Sequence, residues 1–260
     1  MEANSNGLRE NLWGYGKRLR FIVAALSDYL NPRSADQISI LDVGCGNGTQ
    51  LAIPLASYGF HILAIDPDKG SVERARQFAG VRENLRFENM TIEDCPTGTF
   101  DAVILSEVLE HLTDPARILA DAAKRLRPGG MVIITVPNGY GEFEIDSWLF
   151  RSLRLQSLIN RVVQNGHEVV ASTENHDCGH VQFFTWRSIH RLFVVCNLEL
   201  LRYSAGAFLC GPTVGHTLAR SQGFIDWNAR VTDRLPPSMA SSWFFALRPR
   251  GDRRPSFGIS

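Results

Sequence analysis

The chain has 260 residues, 44% of them hydrophobic, and its 27 Lys and Arg are balanced by 27 Asp and Glu. That length suits one domain with a full core and an appended element, and the balanced charge argues against a nucleic acid or an anionic membrane as partner. Five scattered cysteines with no CxxC pair argue against a disulfide framework or a structural zinc site. With no apolar core of signal-peptide type in "MEANSNGLRENLWGYGKRLR" and no run of eighteen apolar residues, the expectation is a cytoplasmic, reduced protein without stable membrane insertion.

Residues 8–30 read as a helix with apolar positions at Leu12, Leu19, Ile22, Val23, Leu26 and Leu30, stopped before Pro32. Short apolar runs at 38–43, 61–65, 85–88, 101–106 and 130–136 read as strands. Helical patterns fall between them at 48–58, 69–79 and 115–126. "RPGG" at 127–130 stops the last of these helices and turns the chain into the next strand. Strands alternating with helices imply parallel pairing and a doubly wound α/β sheet with helices on both faces.

After Pro137 the alternation breaks. Residues 139–184 form an insertion that contains the amphipathic stretch "IDSWLFRSLRLQSLINRVV" and the polar loop "STENHDCGH". An insertion of this length suits a lid or acceptor platform after the fifth strand. Its basic helix at 145–163 packs on its own domain or lies on a membrane, and the first reading is favoured. Tyr140, Phe143, Glu144 and Trp148 are candidate lining for the pocket of a hydroxylated, sugar-like or aromatic acceptor. A helix at 185–196, a strand at 198–205 and a last strand in "SSWFFALRP" complete a seven-stranded, mostly parallel sheet. One domain over 1–249 is expected, its binding core at 38–138, followed by a disordered tail at 250–260. "DWNAR" at 226–230 reads as a surface loop, with an acceptor-side or homodimer contact as alternatives.

Two constellations carry chemistry. In "SILDVGCGNGTQLAIPLASYGFHILAIDPD", Gly44, Gly46 and Gly48 follow a strand and open a helix, and Asp66 stands at the tip of the next strand. Bare backbone and free helix N–H groups favour an electron-rich ligand, and a carboxylate matches the two donors of a ribose diol. The GxGxG spacing departs from the GxGxxG of dinucleotide binders, and Asp42 lies where it can meet a cationic amine. In the second constellation, "SEVLEHL", Glu107, Glu110 and His111 would share an arc of roughly 100° on one helical turn. Either His111 deprotonates an acceptor hydroxyl with a glutamate orienting it, or the three ligate a divalent metal.

"LDVGCGNG", "AIDPD", "IEDCP", "FDAVILSEVLEHL", "LRPGG" and "ITVPN", in that order over 38–138, resemble the class I S-adenosylmethionine-dependent methyltransferases with their Rossmann-like fold. The resemblance implies S-adenosylmethionine as cofactor. It places the methionine moiety on Gly44, Gly46 and Gly48 beside Asp42, the ribose on Asp66, and the adenine at Thr91, Ile92 and Glu93, with Pro67 and Ser106 also expected to bind the cofactor. "SEVLEHL" is similar to the Glu-x-x-Glu-His of ubiquinone-biosynthesis O-methyltransferases and small-RNA 2′-O-methyltransferases. In the latter a further histidine completes a metal site, which here implies His180 or the less well placed His176, with Glu107, Glu110 and His111, around an ion such as Mg. The second half is diffusely similar to bacterial glycan and natural-product methyltransferases. O-methylation of a small-molecule acceptor is therefore expected, with catalytic roles for His111, His180 and Glu107. N- or C-methylation, a nicotinamide-dependent oxidoreductase and a non-catalytic partner subunit remain as alternatives. The missing Tyr-x-x-x-Lys pair argues against the oxidoreductase, and the neutral charge argues against an RNA acceptor.

Overall fold

The computed structural model describes residues 10–30, 33–139, 179–211, 214 and 221–251. Helix α1 (Tyr15–Leu30) precedes an alternation of β1 (Ser39–Val43), α2 (Ala52–Ser57), β2 (His61–Ile65), α3 (Lys69–Ala79), β3 (Leu85–Glu88), β4 (Phe100–Ser106), α4 (Pro115–Arg125) and β5 (Leu126–Pro137). After the insertion come α5 (Trp186–Val195), β6 (Leu198–Ala205), α6 (Gln222–Val231) and β7 (Ser242–Pro249). The seven strands form one sheet in the order β3-β2-β1-β4-β5-β7-β6, and only β7 runs antiparallel to its neighbours.

The inner strands are continuously apolar because helices cover both sheet faces. Alternate residues divide between two cores. Ile40, Ala102, Ile104, Ile133 and Phe244 pack under Ile22 and Leu26 of α1, Leu55 of α2 and Val72 of α3. On the other face Leu41, Val103, Leu105, Ile134 and Phe245 pack under Leu119 of α4 and Ile189 and Phe193 of α5.

The elements differ from expectation where polar groups compete with the helical pattern. Helix α1 starts at Tyr15, not residue 8, because Asn11 Oδ1 accepts from the Trp13 and Tyr15 amides and Gly14 takes a φ of +75°. Helix α2 is confined to Ala52–Ser57 because the glycine loop occupies the residues before it. "RPGG" is looped out of the β4–β5 ladder, for Phe100 faces Leu126 while Ala102 faces Met131. "DWNAR" is no loop but part of α6, where buried Asn228 accepts from the Phe208 and Leu209 amides and donates to Leu209 O. The amphipathic helix at 145–163, the aromatic lining, His176 and the tail beyond Gly251 lie outside the described residues.

Both ends of the long insertion are fixed. The Gly139 amide donates to Phe184 O, and the Val181 and Gln182 amides both donate to Glu110 O. A second excursion, 206–241, leaves β6 and re-enters β7 at this same edge, closed by Gly206 N to Ser242 O and Ser241 N to Ala207 O.

The opposite edge is clamped by Asp101, which is almost wholly buried. Its Oδ1 accepts from Arg33 at 2.7 Å, and its Oδ2 accepts from Ser39 N at 2.8 Å and Arg127 at 3.1 Å. Removing this carboxylate strands a buried amide and two cations that water can partly re-solvate. Asp101→Ala should cost about 2–3 kcal/mol and lower Tm by roughly 4–10 °C, with Asp101→Asn in between. Calorimetric melting checks this, and a loss under 1 kcal/mol would contradict the clamp.

Candidate functional site

Strands β1 and β4 are hydrogen-bonded neighbours, yet the chain leaves β1 toward β2 and β4 toward β5. Loops that part in opposite directions open a crevice at the carboxyl ends of such strands. The glycine loop lies on one side and residues 106–111 on the other.

The loop is fixed by the Gly44 and Cys45 amides, which donate to Ile65 O at the end of β2 at 2.8 and 3.0 Å. Its glycines differ in what requires them. A Cβ at Gly44 would come within 2.7 Å of Val108, and one at Gly48 within 2.6 Å of the Phe87 ring, so both are demanded by packing. Gly46, with φ of +54°, faces open space, and there the bare backbone is presented.

Asp66 reaches this loop: its Oδ2 accepts from Gly46 N and its Oδ1 from Asp68 N, both at 2.9 Å. Asn89 Nδ2 donates to the carbonyls of Asp66 and Pro67 and fixes the turn. Asp42 is 2% exposed, and its Oδ2 has no hydrogen-bond partner. Burial, with the nearby Asp66 charge adding, pushes its carboxyl up to about 7. Thr91 caps the turn Ile92–Asp94, which buried Arg125 holds through the carbonyls of Ile92 and Glu93, while the Glu93 carboxylate pairs with Arg117. Burial also raises the Cys45 thiol, so this half-buried cysteine stays protonated.

Across the crevice the single helical turn expected for "SEVLEHL" does not form. Glu107 has φ of +57°, a left-handed conformation costing about 1–3 kcal/mol, and the turn that follows is 3₁₀, over Leu109–His111. The glutamates therefore separate. Glu107 turns toward β5, where its Oε1 accepts from Thr135 Oγ1 at 2.8 Å.

Glu110, 1% exposed, stays with the histidines. The ligand atoms of Glu110, His111 and His180 all lie within 4.8 Å of one another, and the two imidazole centroids are 5.2 Å apart. Glu107 stands outside that trio. Glu110 Oε2 and His111 Nδ1 are buried without a hydrogen-bond partner. Burial, with Glu107 adding, raises the Glu110 carboxyl well above the usual carboxylate range. Burial, with His180 adding, lowers His111. The anchored amides of Val181 and Gln182 bring His180 into this group.

Helix α1 supplies two residues that the reading of the sequence missed. Arg18, 7% exposed, donates from Nη1 to Ser106 Oγ at 3.0 Å, lies over the Tyr15 ring and leaves Nε unpartnered. Tyr15, its hydroxyl pKa raised chiefly by burial, hydrogen-bonds Gln50 just beyond the glycine loop. The signal was available: Arg18 stands in the apolar i, i+3, i+4 stripe of Tyr15, Leu19, Ile22 and Leu26.

Comparison with known proteins agrees with this architecture. Residues 15–203 match the family described as "Methyltransferase domain". A ubiquinone biosynthesis O-methyltransferase of Rickettsia akari is 35% identical over 125 residues, which cover 46% of this chain and 48% of that protein. The chain thus matches about half the length of that curated relative. Among solved structures, the magnesium protoporphyrin IX methyltransferase from Synechocystis with bound SAH aligns with a TM-score of 0.55 at 16% identity, over 91% of this chain and 83% of that one. The [4+2]-cyclase SpnF aligns at 0.56 and 13%, over 94% and 88%. These structural likenesses speak to the fold. With the matched domain running from α1 into β6, the chain belongs to the methyltransferase-domain family, as a class I S-adenosylmethionine-type methyltransferase.

Proposed function

We propose that the protein transfers a methyl group from S-adenosylmethionine to a hydroxyl oxygen of a small molecule. The observation that carries this reading is the convergence of Glu110, His111 and His180 across the crevice from the glycine loop. The Rickettsia relative, an O-methyltransferase by name, supports oxygen as the acceptor atom.

The donor side fits its ligand by charge and shape. Gly46 leaves backbone bare, and Asp66 exchanges its bonds to backbone amides for the ribose diol. Asp42, buried with an unpartnered oxygen, complements the ammonium, and the unpartnered Nε of Arg18 complements the carboxylate. The cofactor supplies an electrophilic methyl on a cationic sulfur, which departs as a neutral thioether.

On the acceptor side, a hydroxyl held by Glu110 and His180 gives its proton to a His111 nitrogen as its oxygen lone pair attacks. A lowered imidazole pKa keeps His111 neutral, and so able to accept, at neutral pH. A divalent ion also fits the trio, because the orphaned Glu110 Oε2 and His111 Nδ1 are buried polar atoms in need of a partner. Two imidazoles and one carboxylate suit zinc, manganese or cobalt better than magnesium, which takes oxygen ligands. Bound there, such an ion would lower the pKa of the acceptor hydroxyl.

Three measurements test this reading. Asp66→Ala should weaken S-adenosylhomocysteine binding about 100-fold by calorimetry, as two charged hydrogen bonds are lost; unchanged affinity would place the ribose elsewhere.

The second is pH dependence. Below about pH 7 Asp42 is protonated in the free protein, and the ligand ammonium favours the ionised form. Affinity should therefore rise with pH up to about 7 and then level off, and Asp42→Asn should flatten the profile. A flat wild-type profile would remove Asp42 from the site.

Third, His111→Ala should spare S-adenosylhomocysteine binding but cut turnover roughly 10²–10⁴-fold in an acceptor screen run with chelator and with added zinc, manganese or magnesium. Full turnover by that variant would overturn the base assignment.

A further inference from the structure

We infer that Thr135 is a positioning residue for donor binding: its hydroxyl holds Glu107 off the Arg18 guanidinium and keeps that cation available. This rests on the donor reading proposed above. Thr135 is fully buried on β5, opposite Ser106 in the ladder.

The directions of the hydrogen bonds follow from the groups themselves. An ionised carboxylate only accepts, so the Thr135 proton goes to Glu107 Oε1 at 2.8 Å. The 2.9 Å contact between Ser106 and Thr135 must then run from the Ser106 hydroxyl to Thr135 Oγ1. A guanidinium only donates, so Arg18 Nη1 gives to Ser106 Oγ at 3.0 Å. The result is a one-way chain from Arg18 through Ser106 and Thr135 to Glu107, in which each hydroxyl is both donor and acceptor. Such chains strengthen cooperatively in a low-dielectric setting.

The geometry at the two ends gives the chain its consequence. Arg18 Nη2 is 3.9 Å from Glu107 Oε1, too far for a hydrogen bond but about 1 Å from a charge-assisted one. Glu107 is held there in a left-handed backbone conformation, with its amide donating to Thr135 O. Both the backbone and the hydroxyl of Thr135 therefore oppose collapse of the glutamate onto the arginine. Among the described residues, Arg18 is the cation within ion-pair distance of Glu107, ready to take up the carboxylate that the hydroxyl releases. The pair would close and compete with the carboxylate of an incoming ligand.

Competition of this kind has a diagnostic sign. In the full chain, Thr135→Val should weaken S-adenosylhomocysteine binding on the order of tenfold, the equivalent of one charged hydrogen bond. Thr135→Ser, which keeps the hydroxyl, should bind within twofold of the wild type. Glu107→Gln removes the competing charge, so Thr135→Val/Glu107→Gln should return to the affinity of Glu107→Gln alone. Thr135→Ala also lacks the hydroxyl and, being smaller, serves if the added methyl of valine disturbs the ladder. Thermal melts of each variant separate unfolding from loss of affinity. Wild-type affinity in Thr135→Val or Thr135→Ala would overturn the inference, as would a double variant no tighter than Thr135→Val. If the wild type itself fails to bind S-adenosylhomocysteine, the donor reading falls, and this inference falls with it.

Discussion

The site depends on one constraint of connectivity. β1 and β4 are joined by parallel hydrogen bonds, but the chain departs from their carboxyl ends in opposite directions. Among the described residues no loop bridges the gap between them, so backbone on one side and side chains on the other face a shared crevice. The glycine loop after β1, Asp66 after β2 and residues 106–111 after β4 all lie at that edge, and the described ends of both excursions start and finish there. The opposite edge, clamped by Asp101, carries packing and ion pairs. The separation lets the edge around the site hold strained and unpartnered groups while the sheet supplies the stability.

Electrostatics at this edge follow from burial. Asp42 and Glu110 are carboxyls almost wholly removed from water, each near a second carboxylate, and both are pushed toward the neutral form. Arg18 is a buried cation with an unused donor. Groups of this kind cost folding free energy, and they persist where a ligand supplies the missing partner. In the proposed function, two of them meet the donor and one the acceptor, which would divide the crevice into halves of different chemistry. The fold alone would not decide the reaction, since a cyclase shares it about as closely as a methyltransferase does.

Much of the fold was legible in local pattern. The strands at 38–43 and 61–65 were readable almost residue by residue, because a covered inner strand is a short apolar run, and those at 85–88 and 198–205 kept their bounds although they are the partly buried edges of the sheet. Helix boundaries were less so. The start of α1 is set by the Asn11 side chain and Gly14, and α2 is shortened by a loop whose conformation serves the glycines. As candidates, Gly44, Gly46, Gly48, Asp42 and Asp66 could be named from spacing, since all lie within five residues of a strand end. The pairing of His180 with His111 could be suspected, but the residues between them contain the insertion, and only the amides bonded to Glu110 O fix the approach.

The sequence by itself therefore determined the class of fold, the glycine loop and its acid, because these depend on periodicity and on residues adjacent in the chain. The tertiary structure alone decided that Glu107 turns away from Glu110 and that Arg18 enters the crevice from a distant helix. It alone decided that Thr135 bonds Glu107 and meets Arg18 through Ser106. These outcomes turn on a left-handed backbone at one residue and on hydroxyls brought together by pairing β4 with β5. No local pattern encodes a contact between side chains that the chain separates by 28 residues or, for Arg18 and Ser106, by 88.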